Sequence, residues 1–312
     1  MELFVPTLNQ MVYLFAFILI GYLLARLGAV KSEAAGVLSK LENMLFIPAL
    51  VMGTFMKNFS VDKIHVTWKL LLFSLAIEAV ALPLALWLGR IGAKDKYERN
   101  IAAYGLAFSN FGFMGNAVVS AVFPDIFMEY VIFTLVLWVI IYGWAVPAWL
   151  IPTDGKPSIK QRIKNIMNPM FIGMLLGIAV SLIGIKLPQS IVSVIDTAGS
   201  CMSPIAMLLT GITVASIDLS KMLRAWNIYV ITALRLLVFP LAALAIFALL
   251  PLPETYVICA FCSLAMPLGL SPVVIPAGYG KDTSKAAAMV LVSHLISVIT
   301  IPLMFILMDK VI

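Results

Sequence analysis

The sequence predicts an all-α membrane protein: ten transmembrane helices built as two inverted five-helix repeats, with helices four and nine broken. Three observations predict it. Apolar residues fill 62% of the 312 positions and charged residues only 12%, whereas a soluble domain is about half apolar and about a quarter charged. The apolar residues fall into ten stretches, each near the roughly 20 residues a helix needs to cross the hydrocarbon core. The two sets of five stretches also share glycines and prolines at a constant offset. The composition argues against a soluble enzyme and against a disordered chain. The long unbroken runs leave no need for a barrel, which would show alternating segments of about ten residues.

In order, the stretches are 5–26, 35–56, 68–90, 100–123, 127–151, 168–186, 190–215, 225–250, 254–279 and 285–308. No basic residue precedes the first run. It is too long for a signal-peptide core, so 1–26 is expected to remain as a helix. The 21 basic and 15 acidic residues give a net charge of +6. In a soluble protein that excess would raise nucleic-acid binding. Here no nucleic-acid partner is expected, because the basic residues sort by loop. With the N-terminus outside, fifteen fall in cytoplasmic loops: Arg26, Lys31, Lys40, Arg90, Lys94, Lys96, Arg99, Lys156, Lys160, Arg162, Lys164, Lys221, Arg224, Lys281 and Lys285. Five fall outside: Lys57, Lys63, Lys69, Lys186 and Lys310. That asymmetry predicts a multi-pass protein of the inner (plasma) membrane with both termini outside.

The first repeat is read as residues 1–151, the cytoplasmic linker as 152–167 and the second repeat as 168–312. An offset of 156 places Gly21 on Gly177, Gly28 on Gly184 and Pro48 on Pro204; Pro83 and Pro147 miss Pro240 and Pro302 by one. Five helices are an odd number, so the second repeat enters the membrane from the opposite side. That inverted plan is common in secondary transporters.

The chemistry is expected at matched places in the two repeats. Helix four reads Phe108-Ser109-Asn110-Phe111-Gly112-Phe113-Met114-Gly115-Asn116 at mid-span, and the equivalent window in helix nine reads Met266-Pro267-Leu268-Gly269-Leu270-Ser271, then Pro272. Proline removes a backbone donor and clashes with the preceding turn, and glycine weakens a helix by about 1 kcal/mol relative to alanine. Unwound backbone at membrane depth persists where it lines a cavity or is buried in protein. Each break exposes a helix N-terminus, with free N–H groups and about half a positive charge. The predicted site is therefore Asn110, Gly112, Gly115, Asn116, Pro267, Gly269 and Ser271, suited to a small organic anion. The plainer alternative is a pair of ordinary kinks, since Pro and Gly are frequent in membrane helices.

Glu78 and Arg235 are charges in the middle of helices three and eight, at repeat-equivalent positions but for one residue. A central charge costs about 2.5–3.5 kcal/mol on insertion scales, so such groups pair or act. Either Glu78 carries a coupling proton, or Arg235 neutralises an anionic substrate, or the two form a static pair. Lys40, Glu42, Asn43 and Asp196 lie near predicted helix ends and read as solvated or snorkelling. His65 reads as a loop residue and His294 as a packed helix residue, with a proton relay as the rival. Two such histidines assemble no metal site. Cys201, Cys259 and Cys262 read as apolar packing, and Trp138, Trp144 and Trp149 as an interfacial belt. No GxxxxGK[ST] loop is present, which argues against ATP-driven transport. The scarcity of His, Asp and Glu in the stretches argues against an enzyme. No cofactor is expected; the drive is the membrane potential or coupled H+ or Na+.

On Phe108 to Asn116, on Ala265-Met266-Pro267 through Pro272 with Ala277-Gly278-Tyr279, and on Pro48, the chain resembles the auxin efflux carrier family. That group includes plant carriers and bacterial organic-acid permeases, and the likeness covers essentially the whole chain. The resemblance implies a scaffold of helices one, two, six and seven that forms a homodimer in the bilayer. It implies a moving core of helices three to five and eight to ten, with helices four and nine crossed at their breaks, and an elevator-like shift of core against scaffold. Asn110, Asn116, Pro267 and Ser271 would line the anion site. The long cytoplasmic loop of the plant carriers is absent, and Asn116 stands where many relatives have a proline. A permease for a mono- or dicarboxylate such as malate or malonate fits better than an auxin carrier. An anion channel or a membrane sensor on the same scaffold is the alternative.

Overall fold

The computed structural model describes residues 4–31, 33–61, 64–150, 163, 167–215, 224–277 and 283–311. The chain there is helical: α1 Phe4–Arg26, α2 Ala34–Asn58, α3 Ile64–Leu88, α4 Lys96–Ala107, α5 Phe111–Val122, α6 Pro124–Leu150, α7 Pro169–Ile183, α8 Gln189–Ala215, α9 Trp226–Phe247, α10 Glu254–Ala265, α11 Ser271–Ala277 and α12 Ser284–Asp309. Among the described residues there is no strand, and Ser109 and Leu268 form one isolated antiparallel bridge. Among the described residues, seven helices are long and apolar enough to cross a membrane: α1, α2, α3, α6, α8, α9 and α12. Their outer faces carry exposed apolar side chains such as Val12, Leu19, Leu72, Val80, Val194 and Ile299. Such faces are at home in lipid.

Local chemistry explains the boundaries. Asp95 starts α4 by accepting from the Glu98 N–H at 2.8 Å, while the Glu98 carboxylate accepts from the Lys94 N–H at 2.8 Å. This is a reciprocal cap. Asn168 caps α7 through the Phe171 N–H at 3.0 Å, and Pro169 takes the first turn, where its missing donor costs nothing. Gly184 ends α7 in the left-handed region at φ 71°, and Gly28 follows α1 at φ 74°. A Cβ is unfavourable in that region. Two prolines widen the turns before them. Pro48 follows a π-turn over Glu42–Phe46, and Pro240 follows one over Leu234–Val238. A proline ring cannot accommodate the carbonyl four residues back, and the ladder relaxes into a wider turn.

α1 packs on α8, and α2 packs on α7 and α8. Both contacts are backbone-close, because glycines face the partner main chain. Gly21 lies against the carbonyl of Leu208, and Gly177 against the carbonyl of Met52. The differences 177 − 21 and 208 − 52 are both 156, so one contact maps onto the other by exchange of chain halves. Gly173 lies one turn from Gly177, and a Cβ on it would stand 2.7 Å from the Pro48 carbonyl. Small residues at such crossings let dispersion and Cα–H contacts act where lipid removes the hydrophobic drive.

Three sequence expectations change. Glu42 is fully buried, not snorkelling, because the π-turn and the packing of α8 enclose it. Position 65 lies in the first turn of α3, not in a loop. Trp138 and Trp149 pack inside the protein rather than in a surface belt. Lys40 and Asp196 are exposed as expected, and Asp196 pairs with Lys57 at 2.7 Å. Most of the 152–167 linker, with Lys156, Lys160, Arg162 and Lys164, lies outside the described residues, as do Lys63, Lys221, Gly278, Tyr279 and Lys281.

Gly21→Ala should lower thermal unfolding in detergent by the equivalent of about 1–3 kcal/mol, the usual cost of overpacking, since its methyl would overlap the Leu208 carbonyl. Gly36→Ala, in α2 with open space around it, should be neutral or stabilising by about 0.5–1 kcal/mol. Equal melting temperatures for the two variants would contradict the packing described.

Candidate functional site

Within the stretch 100–123 the chain does not form one helix. α4 stops at Ala107, Phe108 is extended at φ −117° and ψ 108°, and α5 begins at Phe111. Within 254–279, α10 stops at Ala265, Met266 is extended at ψ 150°, and α11 begins at Ser271. Pro267 explains the second stop: it lacks a donor, and the residue before a proline is pushed out of the helical region. The first stop has no proline. There Asn110 acts as the cap of α5, its Oδ1 accepting from the Met114 N–H at 3.5 Å.

The two non-helical links meet. Ser109 bridges Leu268, and the Asn110 N–H donates to the Pro267 carbonyl at 2.7 Å. Gly105 admits the Leu268 side chain, and a Cβ on Gly269 would stand 3.2 Å from the Ser109 carbonyl. Ser109 Oγ donates to the Ser263 carbonyl at 2.7 Å, and Ser293 Oγ accepts from the Leu268 N–H at 3.3 Å.

Helix C-termini leave carbonyls without partners, and a single side chain takes them here. Arg235, on the π-turn of α9 and 1% exposed, donates from Nη1 to Leu106 at 2.9 Å, from Nη2 to Ser263 at 3.0 Å and from Nε to Met266 at 3.1 Å. It thus clamps the C-terminal ends of α4 and α10. A cation suits the negative end of a helix. Glu78 on α3, also buried, interacts electrostatically with Arg235, and its Oε2 makes no hydrogen bond.

The N-terminal ends face a cavity. Ser109, Asn110, Phe111, Gly112 and Phe113 line it from one side, Gly269, Leu270 and Ser271 from the other, and Tyr104, Trp138, Ile141 and Tyr142 close it. Its volume is about 40 Å³, room for roughly three waters. Tyr104 and Ser271 share a hydrogen bond. Trp138 packs edge-on to Phe111 at 5.4 Å and stacks on Tyr142 at 5.2 Å; its ring fills the space that a Cβ on Gly112 would need. The same two rings, Trp138 and Tyr142, also bound a larger cavity of about 330 Å³, with Asn43 and Ile47 of α2, Pro169 and Met170 of α7, and Ile275 of α11.

Of the residues expected from sequence, Asn110, Gly112, Gly269 and Ser271 share the small cavity, and Pro267 holds Asn110 through its carbonyl. Gly115 and Asn116 lie beyond the lining. Gly115 receives the Tyr130 hydroxyl, which donates to the Phe111 carbonyl at 3.1 Å. The Asn116 N–H turns back to Phe111 and Phe113. Sequence reasoning missed Tyr104, Trp138 and Tyr142. The i, i+4 spacing of Trp138 and Tyr142 on one helix was the available signal. It missed His294 as a partner of Asn110 too: the ring Nε2 is 3.0 Å from Asn110 Nδ2. Among the described residues, no group of three His, Cys, Asp or Glu is placed to hold a metal ion.

Arg235→Met should cost about 3–5 kcal/mol, as for breaking a buried charge pair, because three carbonyls and Glu78 lose their partner. Arg235→Lys should recover part of that, since an ammonium cannot span three carbonyls in a fork. Thermal unfolding in detergent that ranks the two variants alike would contradict the clamp.

No curated protein matches the chain. A family comparison does match. Residues 6–305 fit the family described as membrane transport protein, to which the auxin efflux carriers belong, and at that coverage the chain, a multi-pass helical membrane protein, belongs to this transporter family.

Proposed function

We propose that the protein is a secondary carrier of small organic anions, mono- or dicarboxylates of the size of malonate or malate, which bind where the two non-helical links cross. One observation carries this reading. The protein supplies its own cation, Arg235, to the C-terminal ends of α4 and α10, while the first-turn backbone of α5 and the Ser271 hydroxyl line a cavity. With the negative helix ends already satisfied, the donors left over suit an anion. On this reading Arg235 is a clamp and Glu78 its counter-charge.

The remaining architecture follows as part of the proposal. α4 with α5, and α10 with α11, each make one interrupted span, and α7 makes a short one. With the seven long helices this gives ten spans in two inverted repeats. The exchanged glycine contacts, Gly21 on Leu208 and Gly177 on Met52, support the repeat, as does the matched left-handed glycine after α1 and α7. α1, α2, α7 and α8 form the scaffold and the dimer surface, and the other helices form the transport core. A cavity of about 40 Å³ does not accept a dicarboxylate without wall movement. The larger cavity between α2, α7 and the core is the approach, and Trp138 with Tyr142 is the partition between them. Core movement against the scaffold in an elevator-type cycle would open it. Membrane potential, H+ or Na+ supplies the drive.

Purified protein in liposomes should show counterflow: unlabelled internal carboxylate accelerates entry of labelled malonate or malate. A channel dissipates its gradient without such exchange, and a sensor shows no flux. Asn110→Asp, isosteric but with no donor and an added negative charge, should lower uptake at least about tenfold, the value of one hydrogen bond to a charged group, in protein that still purifies folded and monodisperse. Uptake equal to the native protein would remove Asn110 from the site.

A further inference from the structure

The hydrogen bonds around Asn110 have a polarity that chemistry alone fixes. His294 Nδ1 lies 2.8 Å from the Val290 carbonyl, which only accepts, so Nδ1 carries the ring proton and neutral Nε2 is an acceptor. Asn110 Nδ2, 3.0 Å away, donates to Nε2. Its Oδ1 is then turned to the Met114 N–H, which needs an acceptor. One chain of donors and acceptors runs from Val290 through the ring to the cap of α5. It permits a single tautomer. One amide N–H of Asn110, a residue of the cavity lining, is left over.

A proton on Nε2 would face the Asn110 N–H, donor against donor. The contact can persist only if the amide turns over and offers Oδ1 to the ring. The His294 ring is 2% exposed, so an imidazolium there needs a counter-charge. α12 packs against α1, α4, α8, α9, α10 and α11. The buried titratable or charged groups on those helices are Tyr104 of α4, Arg235 of α9, and Cys259 and Cys262 of α10. None is a carboxylate, and Arg235 is committed to Leu106, Ser263 and Met266. The other groups of those helices, Tyr13, Tyr22, Arg26, Lys96, Tyr97, Glu98, Arg99, Asp196, Cys201, Tyr229, Glu254 and Tyr256, are exposed or part-buried, as are Lys285 and Asp309 of α12 itself. The counter-charge therefore has to come from the cavity.

We propose that His294 is the proton-binding group of the carrier: it takes one proton at Nε2 together with the anion, and the Asn110 amide turns over as it does so. The proposal rests on the crossing being the anion site. The proton comes from water and adds to the Nε2 lone pair. The Asn110 N–H to Nε2 bond breaks, the amide rotates about its Cβ–Cγ bond, and Nε2–H donates to Oδ1. The long 3.5 Å bond to Met114 is given up, and the amide NH2 takes the place that Oδ1 held. Imidazolium and carboxylate then neutralise each other, so each stabilises binding of the other by the same factor. The cycle is a proton–anion symport.

The chain contains two histidines, His65 and His294, so ring nitrogens can be followed by NMR in the full-length protein labelled with 15N-histidine, with His65→Gln to assign them. At pH 8 the His294 ring should be the Nδ1–H tautomer. Malonate should raise the pH at which it becomes doubly protonated. An Nε2–H tautomer, or a ring that stays neutral to pH 5 in saturating malonate, would overturn the proposal. In liposomes with clamped potential and fixed internal pH, native uptake of labelled malonate should rise about tenfold per unit of external acidification until saturation, as expected for one proton bound per anion. His294→Gln, which keeps an acceptor for Asn110 but holds no proton, should be flat within about twofold. A retained slope in that variant overturns the proton role and leaves the anion site standing. No uptake of any carboxylate by the native protein overturns the anion site itself, and the proton role with it. The NMR result on the native protein decides the matter if His294→Gln does not fold.

Discussion

Backbone groups freed where a helix stops inside an apolar body must find partners, because neither lipid nor packed side chains supply them. In this protein two helices, α4 and α10, stop beside each other, and each supplies what the other lacks. The Asn110 N–H takes the Pro267 carbonyl, Ser109 bridges Leu268, and Ser109 Oγ takes the Ser263 carbonyl. Arg235 collects the Leu106 and Met266 carbonyls and shares that of Ser263. A guanidinium fork does this where a lysine would not. The burial of a full charge is tolerated because its donors are satisfied and Glu78 is near.

That constraint decides the character of the site. The links could not pair without exact spacing of small residues, and Gly105 and Gly269 provide it. On the proposed reading, with the C-terminal ends occupied, the polarity left at the crossing is positive and hydrogen-donating. Asn110 connects this region to the rest of the molecule. Its main chain holds α10's continuation, its side chain caps α5, and its amide meets His294 on α12. Around the crossing the aromatic side chains Trp138 and Tyr142 make a wall shared by two cavities of unequal size. The glycine-faced contacts of α1 with α8 and α2 with α7 lie apart from this region. The molecule thus has one tightly apposed helix assembly and one crossing where irregular backbone is concentrated.

Much of this was legible in residue order. Ten apolar stretches anticipated the helical elements, and Pro267 with its neighbours anticipated the end of α10. Asn110, Gly112, Gly269 and Ser271 were legible because glycine, asparagine and proline rarely stand together in an apolar run without a reason. Other readings failed for definite causes. Glu42 looked solvated because distance along the chain from a predicted helix end was taken as distance from solvent; the π-turn before Pro48 rotates it inward instead. Trp138 looked interfacial because a tryptophan's preference for the membrane surface is an average, and here Gly112 leaves a space that its ring fills.

The sequence by itself determined the helical class, the membrane environment and the places where helices stop. These depend on composition and on local backbone chemistry, which act within a few residues. Only the tertiary structure decided that the stops face each other, that Arg235 spends its nitrogens on carbonyls rather than on a ligand, and that His294 meets Asn110 across 184 positions. Such pairings join residues far apart in the chain. Hydrogen-bond polarity and close packing fix them once the helices are assembled, and no local pattern encodes which distant partner will be there.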